Sequence, residues 1–176
     1  MNAAYPIEQL ATGTVPGPQL AFARKARELL PDGGDFAREA TRDGLLILGR
    51  TEADLAEPRR LLRDAFGAGV RFSTPGVRLL YADGWQQPIM GFRVVAAPAD
   101  VRPIEACLAR RAAEISDVEV RPDSGVIRGQ APLATLLGYP RALRRLSGGT
   151  AHATLWLSHY RPLWSYSSET MACYPG

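Results

Sequence analysis

At 176 residues, with 46% hydrophobic and 22% charged side chains, the chain is long enough for one mid-sized domain or two small ones with a usable core. The net charge of +3 is modest, yet Lys25 is the only lysine and arginine supplies the rest of the positive charge; arginine suits bidentate phosphate recognition, and it is equally common on solvated faces or where codon usage favours it. No stretch approaches the roughly 18 continuous apolar residues of a membrane span, no basic-then-apolar leader opens the chain, and Cys107 and Cys173 lack a pairing pattern, so a cytoplasmic location with reduced thiols is the expectation.

The residues from Met1 to Pro18 are rich in Pro, Gly, Thr and Ala, with a short strand expected over Ile7 to Ala11 and a loop over Gly13 to Pro18. Leu20, Ala23, Ala26 and Leu30 recur at helical spacing, which predicts a helix from Gln19 to Leu30, ended by Pro31-Asp32-Gly33-Gly34. Two strands, Phe36 to Thr41 and Leu45 to Gly49, are joined by Arg42-Asp43-Gly44, a hairpin signal because such a turn needs positive φ. A second helix follows, with Thr51 as its expected N-cap and Leu55, Leu62 and Phe66 inward; Pro58 starts it near Glu57 or kinks it. Val70 to Tyr81 reads as a strand interrupted at Pro75-Gly76.

After a polar joint from Ala82 to Gln87 the element order repeats. Pro88 to Ala97 is a strand, and a helix begins at Asp100, the expected N-cap, with Val101, Ile104, Cys107 and Leu108 facing inward. Strands over Ile115 to Arg121 and Gly125 to Ala131 form a hairpin around Pro122-Asp123-Ser124. Ala131 to Gly149 reads as one helix starting at Pro132, with Leu133, Leu136, Leu137 and Leu143 at helical spacing and Gly148-Gly149 as its stop. From Ala151 the period changes to two: Ala151, Ala153, Leu155 and Leu157 share one face, while His152, Thr154, Trp156 and Ser158 share the other. The tail, with Trp164, Tyr166, Met171 and Tyr174, has no clear period.

Each half therefore reads β-α-β-β-α-β, and the expected fold is α+β: two tandem ferredoxin-like domains, antiparallel sheets with helices on one face, over residues 1–84 and 85–176, with a C-terminal tail from about residue 163.

Within Ala131 to Tyr160, Pro132-Leu133, Gly138-Tyr139, Leu143-Arg144, Ser147-Gly148-Gly149 and His159-Tyr160 stand in register with the motifs of domain V of translational GTPases of the elongation factor G type, which the stretch resembles. Gln87-Pro88-Ile89-Met90 resembles that domain's Glu-Pro-x-Met entry, and Leu108 to Ile115 resembles its Leu-Asn-Arg-Arg-Arg-Gly-x-Ile, with Ala113 replacing the glycine. Gly49 to Phe66 is similar to the family's domain III signature at Gly49, Glu52, Leu55 and Phe66, with Thr51, Ala53 and Asp54 in place of Gly, Leu and His. The resemblance implies a chain built from domains III and V, without the GTPase domain and with the joint between Tyr81 and Pro88 where the family has domain IV.

No GxxxxGK[ST] loop is present to cradle phosphates, no residue set combines nucleophile, base and oxyanion roles, and carboxylate pairs such as Glu52/Asp54 read as caps. His152 and His159, seven residues apart on a strand, are expected on opposite faces and offer no metal pair. No enzyme activity, cofactor or metal is expected. The resemblance implies a noncatalytic ribosome- or rRNA-associated protein, with Arg110, Arg111, Arg141, Arg144 and Arg145 as candidate phosphate contacts and Trp156 and His159 as candidate RNA or partner contacts. Two alternatives stand beside it: a protein-binding module using the open sheet face around Trp156, or one part of a split factor served by a GTPase in trans. Neither a membrane nor DNA is expected as a partner.

Overall fold

The computed structural model describes residues 4–31 and 35–163. The Asp32-Gly33-Gly34 turn and the tail aromatics Trp164, Tyr166 and Tyr174, with Met171 and Cys173, lie outside the described residues.

The first half follows the expected order. β1 (Ile7–Gly13) leads into α1 (Gln19–Glu28), a turn shorter than the apolar spacing suggests, although Leu30 beyond it is still buried. β2 (Phe36–Ala40) and β3 (Leu45–Gly49) form the hairpin. Its turn needs glycine: Gly44 has φ +144°, and a Cβ there would strike the Ala11 carbonyl oxygen.

α2 (Ala56–Phe66) is preceded by a 3₁₀ turn over Ala53–Leu55, so Pro58 falls in the first turn of the α-helix, where its missing N–H costs nothing. Thr51 is not the cap. Asp54 instead folds back, its carboxylate accepting from the backbone N–H of Arg50 at 2.9 Å and of Thr51 at 2.8 Å. The strand expected over Val70 to Tyr81 is three short pieces, β4 (Val70–Phe72), β5 (Gly76–Val77) and β6 (Leu80–Tyr81). The first two pair with β1, whereas β6 pairs with the following strand and so joins the second sheet.

The second half is built around β7 (Trp85–Ala96), which pairs with β6, β9 and β10. α3 (Val101–Ala109) buries Val101, Ile104, Cys107 and Leu108, as the spacing predicts. Asp100 stands at its N-cap position without a side-chain hydrogen bond. β8 (Glu114–Val120) and β9 (Gly125–Pro132) form the second hairpin.

The single helix expected after Pro132 is in fact two, α4 (Leu133–Leu136) and α5 (Tyr139–Leu146). Leu137 turns extended at ψ 129° and Gly138 is left-handed at φ 74°, which ends one helix and starts the next. The apolar residues keep helical spacing because the break changes direction without losing the buried face: Leu133, Leu136, Tyr139 and Leu143 are all covered. β10 (His152–Pro162) closes the sheet.

The sheet orders are β2-β3-β1-β4 and β10-β7-β9-β8, with β5 and β6 added beside β1 and β7. All pairings are antiparallel. Both orders are the split β-α-β arrangement, with the third strand of each unit inserted between the first two. α1 lies on the first sheet, and α3, α4 and α5 on the second. Buried residues of both halves belong to one hydrophobic cluster, from Ile7, Leu45 and Leu55 to Phe92, Ile104 and Tyr139.

Candidate functional site

The arginines of the second half gather on its helix layer. In α5 the side chains of Tyr139 and Leu143 point into the core, and the helical period leaves Arg141, Arg144 and Arg145 exposed. α3 packs beside α5 and ends at Arg110, also exposed. None of these four forms an ion pair among the described residues.

Arg111 behaves differently. Its guanidinium donates to the carbonyl oxygens of Thr135 at 2.6 Å and Leu137 at 3.3 Å, the unpaired C-terminal carbonyls of α4, and stands 5.6 Å from the centroid of the Tyr139 ring. This arginine holds the α4–α5 break together. Beneath it the Tyr139 hydroxyl is buried with no hydrogen-bond partner. Burial pushes the Tyr139 phenol well above the ordinary tyrosine range, with the Cys107 thiol adding to the rise and the Arg111 charge opposing it.

The open face of the second sheet carries His152, Thr154 and Trp156 exposed, while Ala153, Leu155 and Leu157 turn to the core. The expected placement of the two histidines on opposite faces does not hold. Between Leu157 and His159 the register slips by one residue, so that Leu157 opposes Met90 and His159 opposes Ile89. The bulge at Ser158 returns His159 to the face of His152. Seven residues of strand still separate the two rings by about 20 Å. The His159 Nδ1 lies 3.1 Å from the Ser158 hydroxyl.

The fold also uses residues that sequence spacing does not single out as functional. The Glu52 carboxylate accepts from the Gly138 N–H at 2.9 Å, tying the turn before α2 to the left-handed break between α4 and α5. Glu52 and Gly138 each stand in a motif of the family resemblance, one in each half, but nothing in either motif alone says that they meet. Arg93, on β7 opposite Thr154, and Arg50, 5.6 Å from the Tyr5 ring centroid, are exposed cations flanking Trp156. Alternation with Gly91 is the signal that could have placed Arg93 on the open face. Among the described residues no group of three or more His, Cys, Asp or Glu is placed to hold a metal ion, and no helix is long and apolar enough to cross a membrane. The Tyr160 phenol is also raised by burial, against the opposing charge of Arg78.

With this layer and sheet in place, comparison with known proteins becomes informative. Residues 86–170 match the family model of the elongation factor G C-terminus. The segment is homologous to the mitochondrial ribosome-releasing factor 2 of Bos taurus, 33% identical over 85 residues, which is 48% of this chain and 11% of that protein. The same factor of Drosophila ananassae is 43% identical over 84 residues, 47% of this chain and 10% of the relative. The chain thus spans about a tenth of the length of the curated relatives it matches. A crystal structure of a Thermus thermophilus protein superposes with a TM-score of 0.64 over 92% of this chain and 41% of its own, at 17% identity, and shares the two-sheet fold. The elongation factor G resemblance read from Ala131 to Tyr160 therefore extends over the C-terminal half, and the chain is related to translation factors through it.

Proposed function

We propose that this chain is a noncatalytic, translation-factor-like module that associates with the ribosome through rRNA, its first half corresponding to domain III and its second to domain V of an elongation factor G-type protein. The observation that carries this reading is the match of residues 86–170 to the elongation factor G C-terminus, on a half whose helix layer presents unpaired arginines. Arg110, Arg141, Arg144 and Arg145 are the contacts proposed for phosphates, because an exposed arginine not already held by a carboxylate is free to displace counterions from RNA. Arg111 supports them by fixing α5 rather than by touching RNA. The ribosome enters by analogy with relatives whose name is ribosome-releasing factor.

Co-sedimentation with ribosomes at two salt concentrations tests this. Binding at low salt that weakens as salt rises is expected, and Arg144→Ala with Arg145→Ala should flatten that salt dependence by about two phosphate contacts while leaving the melting temperature unchanged. Absence of binding at low salt, or binding indifferent to salt, would overturn the phosphate-contact reading.

A further inference from the structure

Trp156 sits mid-strand on β10 and is nevertheless 48% exposed. Its partner on β7 is Gly91, and the missing side chain there lets the indole lie across the neighbouring strand: a Cβ on Gly91 would fall 2.6 Å from Nε1 and 2.7 Å from Cζ2. One face of the ring is seated on backbone and the other is turned to solvent. A ring recruited for packing would be covered on both faces; this one is laid flat and left open, the geometry of a stacking surface.

Two concavities meet at this ring. One, of ≈330 Å³, is lined on the open face by Glu114, Ser116, Gln130 and Ser158. The other, of ≈420 Å³, runs into the cleft toward Arg50, Thr51 and Asp54 of the first half, and Trp156 lines both. The charge around the ring is uneven. Arg128 and Arg161 are held by Asp117 and Glu114. Arg93, opposite Thr154 and so on the same face as Trp156, and Arg50 in the cleft pair with no carboxylate among the described residues. What is left unneutralised on either side of the ring is positive.

We propose that Trp156 is a stacking platform for an unpaired base of single-stranded RNA, with the flanking phosphates taken by Arg93 and Arg50. A base offers a flat π-face to the indole and polar edges to Gln130 and Ser158, and its phosphates complement the two free arginines. An apolar peptide anchor would instead require an enclosed apolar pocket, which this open and largely polar surface does not provide. The platform lies on the opposite face from Arg141, Arg144 and Arg145, so it does not rest on ribosome association through the helix layer, and either can fail while the other stands.

Fluorescence anisotropy of labelled hexaadenylate, titrated with the full chain at low salt, tests the proposal. Trp156→Leu, which keeps Gly91 covered but removes the π-face, should weaken binding about tenfold or more, and Trp156→Phe should weaken it less. Arg93→Ala should lower the slope of log affinity against log salt by about 0.7. Arg144→Ala should leave the Trp156→Leu effect unchanged, and binding of a duplex RNA of the same length should not respond to Trp156→Leu. Equal affinity of the wild type and Trp156→Leu for hexaadenylate, both folded by circular dichroism, would overturn the proposal, as would an equal loss on duplex. Absence of any hexaadenylate binding would also overturn it and leave the face to a protein partner.

Discussion

At Tyr139 two demands on a single residue conflict. Its ring fills the core under Arg111, yet its hydroxyl is buried without a hydrogen-bond partner. A buried, unpaired hydroxyl costs about 1–3 kcal/mol of desolvation, whereas a phenylalanine ring of the same shape carries none of that cost. Tyr139→Phe should therefore raise stability by about 1 kcal/mol, read as an increase of roughly 2–4 °C in melting temperature. The pH dependence follows from the same burial. Tyr139 and Tyr160 both hold their protons more tightly folded than unfolded. Below the ordinary tyrosine range of about 10 both states are neutral and nothing changes; above it the unfolded chain ionises first, so stability falls as pH rises. Denaturant unfolding at alkaline pH should show this fall, and Tyr139→Phe should make it shallower.

Between elements, the joint of α4 and α5 matters most, because three separate features converge on it. Gly138 supplies the left-handed turn, Arg111 satisfies the carbonyls of Thr135 and Leu137, and Glu52 reaches from the first half to accept the Gly138 N–H. The carboxylate of Glu52 thus connects a turn in one sheet's unit to a helix break in the other's. Glu52→Ala should cost about 1 kcal/mol and speed hydrogen exchange at the Gly138 amide, while Glu52→Gln, which retains an acceptor oxygen, should cost less. An unchanged exchange rate in Glu52→Ala would show that the bond does not hold the joint.

Across the whole molecule, two sheets of identical strand order share one hydrophobic cluster. The strand Leu80–Tyr81 follows the first half in sequence and pairs in the second sheet, and α4 lies against β5 of the first. Separate domains joined by a passive linker would melt independently. With a common core and a hydrogen bond across it, the chain should unfold in one calorimetric transition whose van't Hoff and calorimetric enthalpies agree. Two resolved transitions would show that the halves are energetically independent despite their contact.

Periodicity alone determined the two-fold repeat of β-α-β-β-α-β, the inward faces of α3 and β10, and the Asp-Gly hairpin, because a period of 3.6 or 2 is a local property that burial then respects. The motifs of Ala131 to Tyr160 likewise carried the family, since side chains that build one domain's core and turns keep their spacing. Other features are decided by partners distant in sequence. The single helix read after Pro132 is broken at Gly138, whose N–H donates to Glu52, and the apolar spacing survives the break and so hides it. Asp54 rather than Thr51 satisfies the turn before α2, a competition between neighbouring acceptors that residue type does not settle. Arg111 reads as one more basic residue beside Arg110 and proves to be drawn into the fold, while His159 changes face through a one-residue bulge that strict alternation cannot foresee. Which arginines are spent on the fold and which remain free, and that Trp156 lies open over a glycine on the neighbouring strand, depend on who sits across the sheet. Only the tertiary structure holds that information.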